Sequence, residues 1–127
     1  MLLIASVIQF DSMIIYVYKN ILIILIKDVH INQFCDLFEK TNRRFISDNG
    51  VELLFSCCEK SEVIIEDNLV SIFMDLSKFD IIAGLFKRYF DSDRRFPLDI
   101  SLEQLGFSIE SNEIEDVVFE CGQFNDG

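Results

Sequence analysis

Residues 1–26 read MLLIASVIQFDSMIIYVYKNILIILI, a stretch that would be long enough to cross a bilayer if nothing interrupted it. Two charges do. Asp11 and Lys19 divide it into apolar runs of ten and seven residues, whereas a spanning helix needs about twenty apolar residues in succession. Each charge would cost roughly 2.5–3.5 kcal/mol at a helix centre. No Lys or Arg precedes residue 19, so the basic opening of a secretory signal is missing as well. Ile, Val and Tyr dominate instead, and β-branched and aromatic side chains suit a pleated surface. The pattern predicts strands near residues 2–10, 13–18 and 21–27, and membrane insertion is not expected. Ile21–Ile26 shows no polar alternation, which places it mid-sheet with both faces covered.

Residues 30–47 have helical spacing. Ile31, Phe34, Cys35, Phe38 and Phe45 fall on one stripe, Glu39 and Arg43 form an i,i+4 pair, and Asp48-Asn49-Gly50 reads as the stop. Short β runs follow at Val51–Cys58, Glu62–Glu66 and Leu69–Met74, with Glu59-Lys60-Ser61 and Asp67-Asn68 as hairpin turns. Ser77-Lys78-Phe79-Asp80 resembles a capping box opening a second helix. Its inward face would be Phe79, Ile82, Phe86, Tyr89 and Phe90, and its end would fall near Phe90. Ser101-Leu102-Glu103-Gln104 predicts one helical turn closed by Gly106. Phe107–Glu110 and Glu115–Cys121 read as a hairpin around Ser111-Asn112-Glu113. The expected fold is α+β: a mostly antiparallel sheet with two main helices packed on it, in one compact domain over 1–127 with a frayed end near 122–127.

Charge is the feature that bears on partners. The net charge is −11, and residues 99–127 carry eight acids with no Lys or Arg, so everything upstream is nearly balanced. The acids are Asp99, Glu103, Glu110, Glu113, Glu115, Asp116, Glu120 and Asp126. A pI near 4.3 argues against nucleic acid, whose phosphates would be repelled, and against an anionic membrane surface. It is compatible with a basic partner protein or a divalent metal, and it also keeps a small domain dispersed.

No catalytic motif is found. His30 is the single histidine and stands without a recognisable nucleophile beside it. No glycine-rich phosphate loop occurs, and the acid-rich segment lacks the spacing of a calcium loop. Cys35, Cys57, Cys58 and Cys121 have neither zinc-site nor disulfide-framework spacing. No enzyme activity, cofactor or metal is therefore expected. The reading these residues favour is a cytoplasmic bacterial immunity protein or antitoxin. It would block the basic active site of a cognate toxin, with a nuclease the best-fitting chemistry because its cleft must attract phosphate. Asp99, Glu103, Glu110, Glu113, Glu115, Asp116 and Glu120 would supply the charge and Phe124 an exposed apolar anchor. Two alternatives are a secretion-effector chaperone, which would expose an apolar patch and form homodimers, and a small enzyme using His30 or a carboxylate pair.

Overall fold

Ten strands and one helix make up the part of the chain that the computed structural model describes, residues 7–27, 43–92 and 98–122. They are β1 (Val7–Phe10), β2 (Met13–Tyr18), β3 (Ile21–Lys27), β4 (Arg43–Ser47), β5 (Glu52–Cys57), β6 (Glu62–Glu66), β7 (Leu69–Met74), α1 (Leu76–Asp91), β8 (Leu98–Ser101), β9 (Ser108–Glu110) and β10 (Asp116–Gly122). The strands form two sheets, one of order β1-β4-β5-β7-β6-β9 and one of order β2-β3-β10-β8. This corrects the expected single, mostly antiparallel sheet carrying two main helices. The pairings β1–β4, β5–β7, β6–β9 and β3–β10 are parallel and the other four antiparallel, and one helix is found among the described residues.

The reasons for the difference are local. Residues 30–42 of the first expected helix lie outside the described residues, but 43–47 form β4, not a helix end. Phe45 is fully buried between half-buried Arg44 and Ile46, and that alternation, followed by Asp48-Asn49-Gly50, is a hairpin signal. Gly50 (φ 83°) supplies the left-handed residue of the turn. Glu59-Lys60-Ser61 is not a hairpin turn, because β7 inserts between β5 and β6. The expected C-terminal hairpin also separates: β9 joins β6 in one sheet while β10 lies between β3 and β8 in the other.

Where a segment's own pattern decides its fate, expectation and structure agree. β3 is a central strand with Leu22, Ile23, Ile24 and Ile26 all buried, and the latter three cover both faces. The helix buries Phe79, Ile82, Phe86 and Tyr89 and ends at Asp91. Its N-cap is Asp75 and not Ser77: the Asp75 carboxylate accepts the Lys78 N–H at 2.9 Å and the Ser77 hydroxyl at 2.7 Å. These bonds, the Ser77 one foremost, hold the Asp75 carboxyl below its ordinary pKa.

Phenylalanines tie the layers together. Phe10 meets Phe45 edge-on with ring centroids 6.3 Å apart, and Phe45 meets Phe55 at 5.8 Å. Phe55 stacks on Phe119 of the facing sheet at 6.2 Å, and Phe119 meets Phe86 of α1 at 5.7 Å. Such offset and edge-on pairs add about 0.5–1.5 kcal/mol each beyond the apolar area they bury. Phe119 therefore joins both sheets and the helix at one point, while β2 leaves this core at its far end.

Candidate functional site

β2 is an edge strand, and its alternation decides which backbone groups face outward. Tyr18 and Ile21 close a two-residue hairpin, so Tyr18, Tyr16 and Ile14 bond to β3 while Met13, Ile15 and Val17 direct their N–H and C=O to the free edge. Two of these three positions are capped by the β4–β5 turn. The Met13 carbonyl accepts the Asp48 N–H at 2.8 Å. The Ile15 N–H donates to the Asn49 side-chain oxygen at 3.2 Å, and the Ile15 carbonyl accepts the Asn49 amide at 2.6 Å. Asn49 is itself fixed by the Ser47 hydroxyl at 2.7 Å. An amide side chain here does the work of a neighbouring strand. Val17, two residues on, has no hydrogen-bond partner for its backbone among the described residues.

Val17 opens into a groove of about 720 Å³ where three turns converge. The floor is Val17, Leu22, Ile64, Ile65 and Ile114; the rim is Lys19, Glu66, Asp67, Glu110, Ser111, Asn112 and Glu113. The side chain of Val17 lies on the core side of β2 with Met13 and Ile15, yet it is 55 % exposed where they are buried. Lys19 (φ 57°) and Asp67 (φ 44°) are the left-handed residues of the two-residue turns β2–β3 and β6–β7, a conformation that costs a non-glycine residue about 1 kcal/mol or more. The β9–β10 loop is ordered by the Ser111 hydroxyl, which accepts the N–H groups of Glu113 (3.3 Å) and Ile114 (3.1 Å). The Glu115 N–H then donates to the Asn20 carbonyl at 2.8 Å, tying that loop to the β2–β3 turn.

The electrostatics are one-sided. Glu66, Asp67, Glu110 and Glu113 have no ion-pair partner among the described residues. Lys19, the one cation among the described residues of the rim, places its ammonium over the Tyr18 ring, 5.5 Å from the centroid. A second depression, lined by Gly50, Glu52, Glu66, Asp67, Asn68 and Leu69, continues on the other side of the β6–β7 turn. There Glu52 is neutralised by Arg44.

The acids expected to form one binding surface are dispersed. Glu110 and Glu113 reach the groove. Asp99 and Glu120 face each other across β8 and β10 on the opposite face of the small sheet; burial raises the Glu120 carboxyl above its ordinary pKa and Asp99 adds to the rise. Burial, with a smaller contribution from Glu120, likewise raises the Tyr16 hydroxyl. Asp116 is structural: it accepts the Ser101 hydroxyl, the Glu103 N–H at 3.0 Å and its neighbour Val117 N–H at 2.7 Å. Glu103 sits exposed in the turn that Asp116 braces, and Glu115 is exposed beside the groove loop. Phe124, Asp126 and His30 lie outside the described residues. Phe107 and Phe119 are buried in the core. Val17, Lys19, Glu66 and Asp67 were not among the expected site residues; the sequence marked their turns but not the meeting of those turns.

Among the described residues no three His, Cys, Asp or Glu side chains are grouped to hold a metal, and no helix is long and apolar enough to cross a membrane. The chain matches no protein family, no curated protein and no solved structure.

Proposed function

We propose that this chain is an acidic protein-binding inhibitor, an immunity protein or antitoxin of a bacterial cytoplasm that blocks the basic active site of a cognate toxin. The observation that carries this reading is the groove: four carboxylates with no ion-pair partner among the described residues surround an apolar floor, with one lysine among the described residues of the rim. Acids alone would favour only encounter with a basic surface. An apolar centre inside a charged rim is what adds a buried anchor to that encounter. A nuclease is the toxin chemistry that fits best, because a site built to hold phosphate presents clustered cations. Asp116 serves the fold in this reading, and the contacts belong to Glu66, Asp67, Glu110 and Glu113.

The test starts by capturing the basic protein that co-elutes with the tagged chain from its native lysate at low but not at high salt. The catalytic activity of the purified partner is then titrated with the chain. Stoichiometric loss of activity, relieved by Glu110→Lys with Glu113→Lys, is expected. An activity unaffected by saturating chain would overturn the reading.

A further inference from the structure

We infer that the groove takes an extended segment of a partner polypeptide, added to the free edge of β2 at Val17, with one arginine or lysine of that segment seated over the apolar floor. The inference rests on the binding role proposed above and names the mode and the anchor. Three independent features converge on it. Val17 offers an N–H and C=O with no partner among the described residues, at an edge where the preceding Met13 carbonyl and the Ile15 N–H and C=O are already capped, and an edge strand with open backbone groups is a template for an added strand. The side chain of an incoming residue opposite Val17 must lie on the same face as Val17's own, since paired residues share a face of a sheet. That face is the groove floor, where Val17 is uncovered and Ile114 and Leu22 are packed beneath. The rim beyond the floor holds Glu66, Asp67, Glu110 and Glu113 without counter-ions among the described residues.

One side-chain type satisfies all three. A long aliphatic stem covers apolar surface while its cationic head stays at the rim. Arginine fits better than lysine, because its guanidinium can bridge two carboxylates at once. An acidic residue would meet four like charges, and a short apolar one would leave those charges unanswered. The walls come from the turns at Lys19-Asn20 and Asp67-Asn68 and the loop at 111–115, each described from one strand to the next. The site needs no rearrangement to open.

The probe is the pentapeptide acetyl-Thr-Val-Arg-Val-Thr-amide, titrated into the full chain with ¹⁵N and methyl chemical shifts as the readout. Two control peptides carry citrulline in place of arginine, which keeps shape and removes charge, or an N-methyl group on the arginine amide, which removes the donor to the Val17 carbonyl. Shifts at Val17, Leu22, Ile64 and Ile114 are expected, with binding about tenfold weaker for either control. Glu110→Gln with Glu113→Gln should weaken the arginine peptide and leave the citrulline peptide unchanged. Equal binding of all three peptides, or shifts that map elsewhere, would overturn the inference. So would Val17 amide protection that grows with protein concentration alone, which would assign the edge to a second copy. Because the three peptides are compared on the native chain, the outcomes that would overturn the inference do not depend on a variant folding. A toxin inhibited with no peptide response would sink this binding mode alone; a groove that binds the arginine peptide in a chain inhibiting no partner would sink the inhibitor reading and leave the site.

Discussion

The two halves of β2's outer edge have the same backbone geometry and opposite treatment. The outward Met13 carbonyl is closed off by the Asp48 N–H, and the outward Ile15 N–H and C=O by the side chain of Asn49. At Val17 the same groups have no partner among the described residues, beside a groove whose rim acids have no ion-pair partner among them either. Exposed edges invite pairing with other chains, and proteins cap them or charge them. Both devices occur here within five residues. The cap seals the edge against any strand; the charge leaves it open to a strand that brings cations.

The largest test of that contrast is Asn49→Ala. It removes both hydrogen bonds to Ile15 and the one to Ser47, at an expected cost of about 1–3 kcal/mol in denaturant unfolding. The Ile15 amide should then exchange with solvent as freely as that of Val17. If stability and Ile15 protection are unchanged, the side chain is not acting as a surrogate strand.

Val17→Pro probes the open half. Its N–H bonds to nothing in the described structure, and proline is tolerated on an edge whose N–H faces outward. The expected stability change is within about 1 kcal/mol, while affinity for the arginine peptide falls about tenfold. A smaller effect of opposite sign comes from Lys19→Ala, which removes the single cation among the rim's described residues and should tighten the same peptide about threefold at low salt, less at high salt.

Glu120→Gln supplies a carboxylate outside the groove for comparison. Its folded pKa is raised, by burial first and by Asp99 second. Its favourable contribution is therefore complete below the unfolded value, near 4.5, and is lost as pH rises through the folded one. Glu120→Gln should stabilise the fold at pH 7 by a few tenths of a kcal/mol, screened by solvent. The gain should fade as pH falls toward 4.5, and peptide affinity should not change. A loss of affinity would mean that the protein's overall charge, not the groove, governs binding.

Strands β2 and β3 were legible because each carried its own signal. Met13–Tyr18 and Ile21–Lys27 alternate or run apolar without a break, and Lys19-Asn20 separates them. Helix α1 was equally plain from the spacing of Phe79, Ile82, Phe86 and Tyr89. Sheet membership was not. Nothing in Phe107–Glu110 says that it will pair with β6 rather than with the strand that follows it, since Phe107 and Phe119 enter the same core and an alternating pattern does not name a strand's partner. The same blindness split the expected acidic face. Glu110 and Glu113 reached the groove, Asp116 became a brace for the turn at 102–106, and Asp99 and Glu120 went to the opposite surface. Val17 was invisible as a site because its role is set by a missing neighbour, which only the packed molecule reveals.

The most direct measurement is amide hydrogen exchange at Ile15 and Val17 in one sample, with and without the arginine pentapeptide. The account predicts a protected Ile15 and a freely exchanging Val17 in the chain alone, with Val17 gaining protection when the peptide is present and Ile15 unchanged. Val17 amide exchange that is slow in the free chain, or unaltered by saturating peptide, would contradict it.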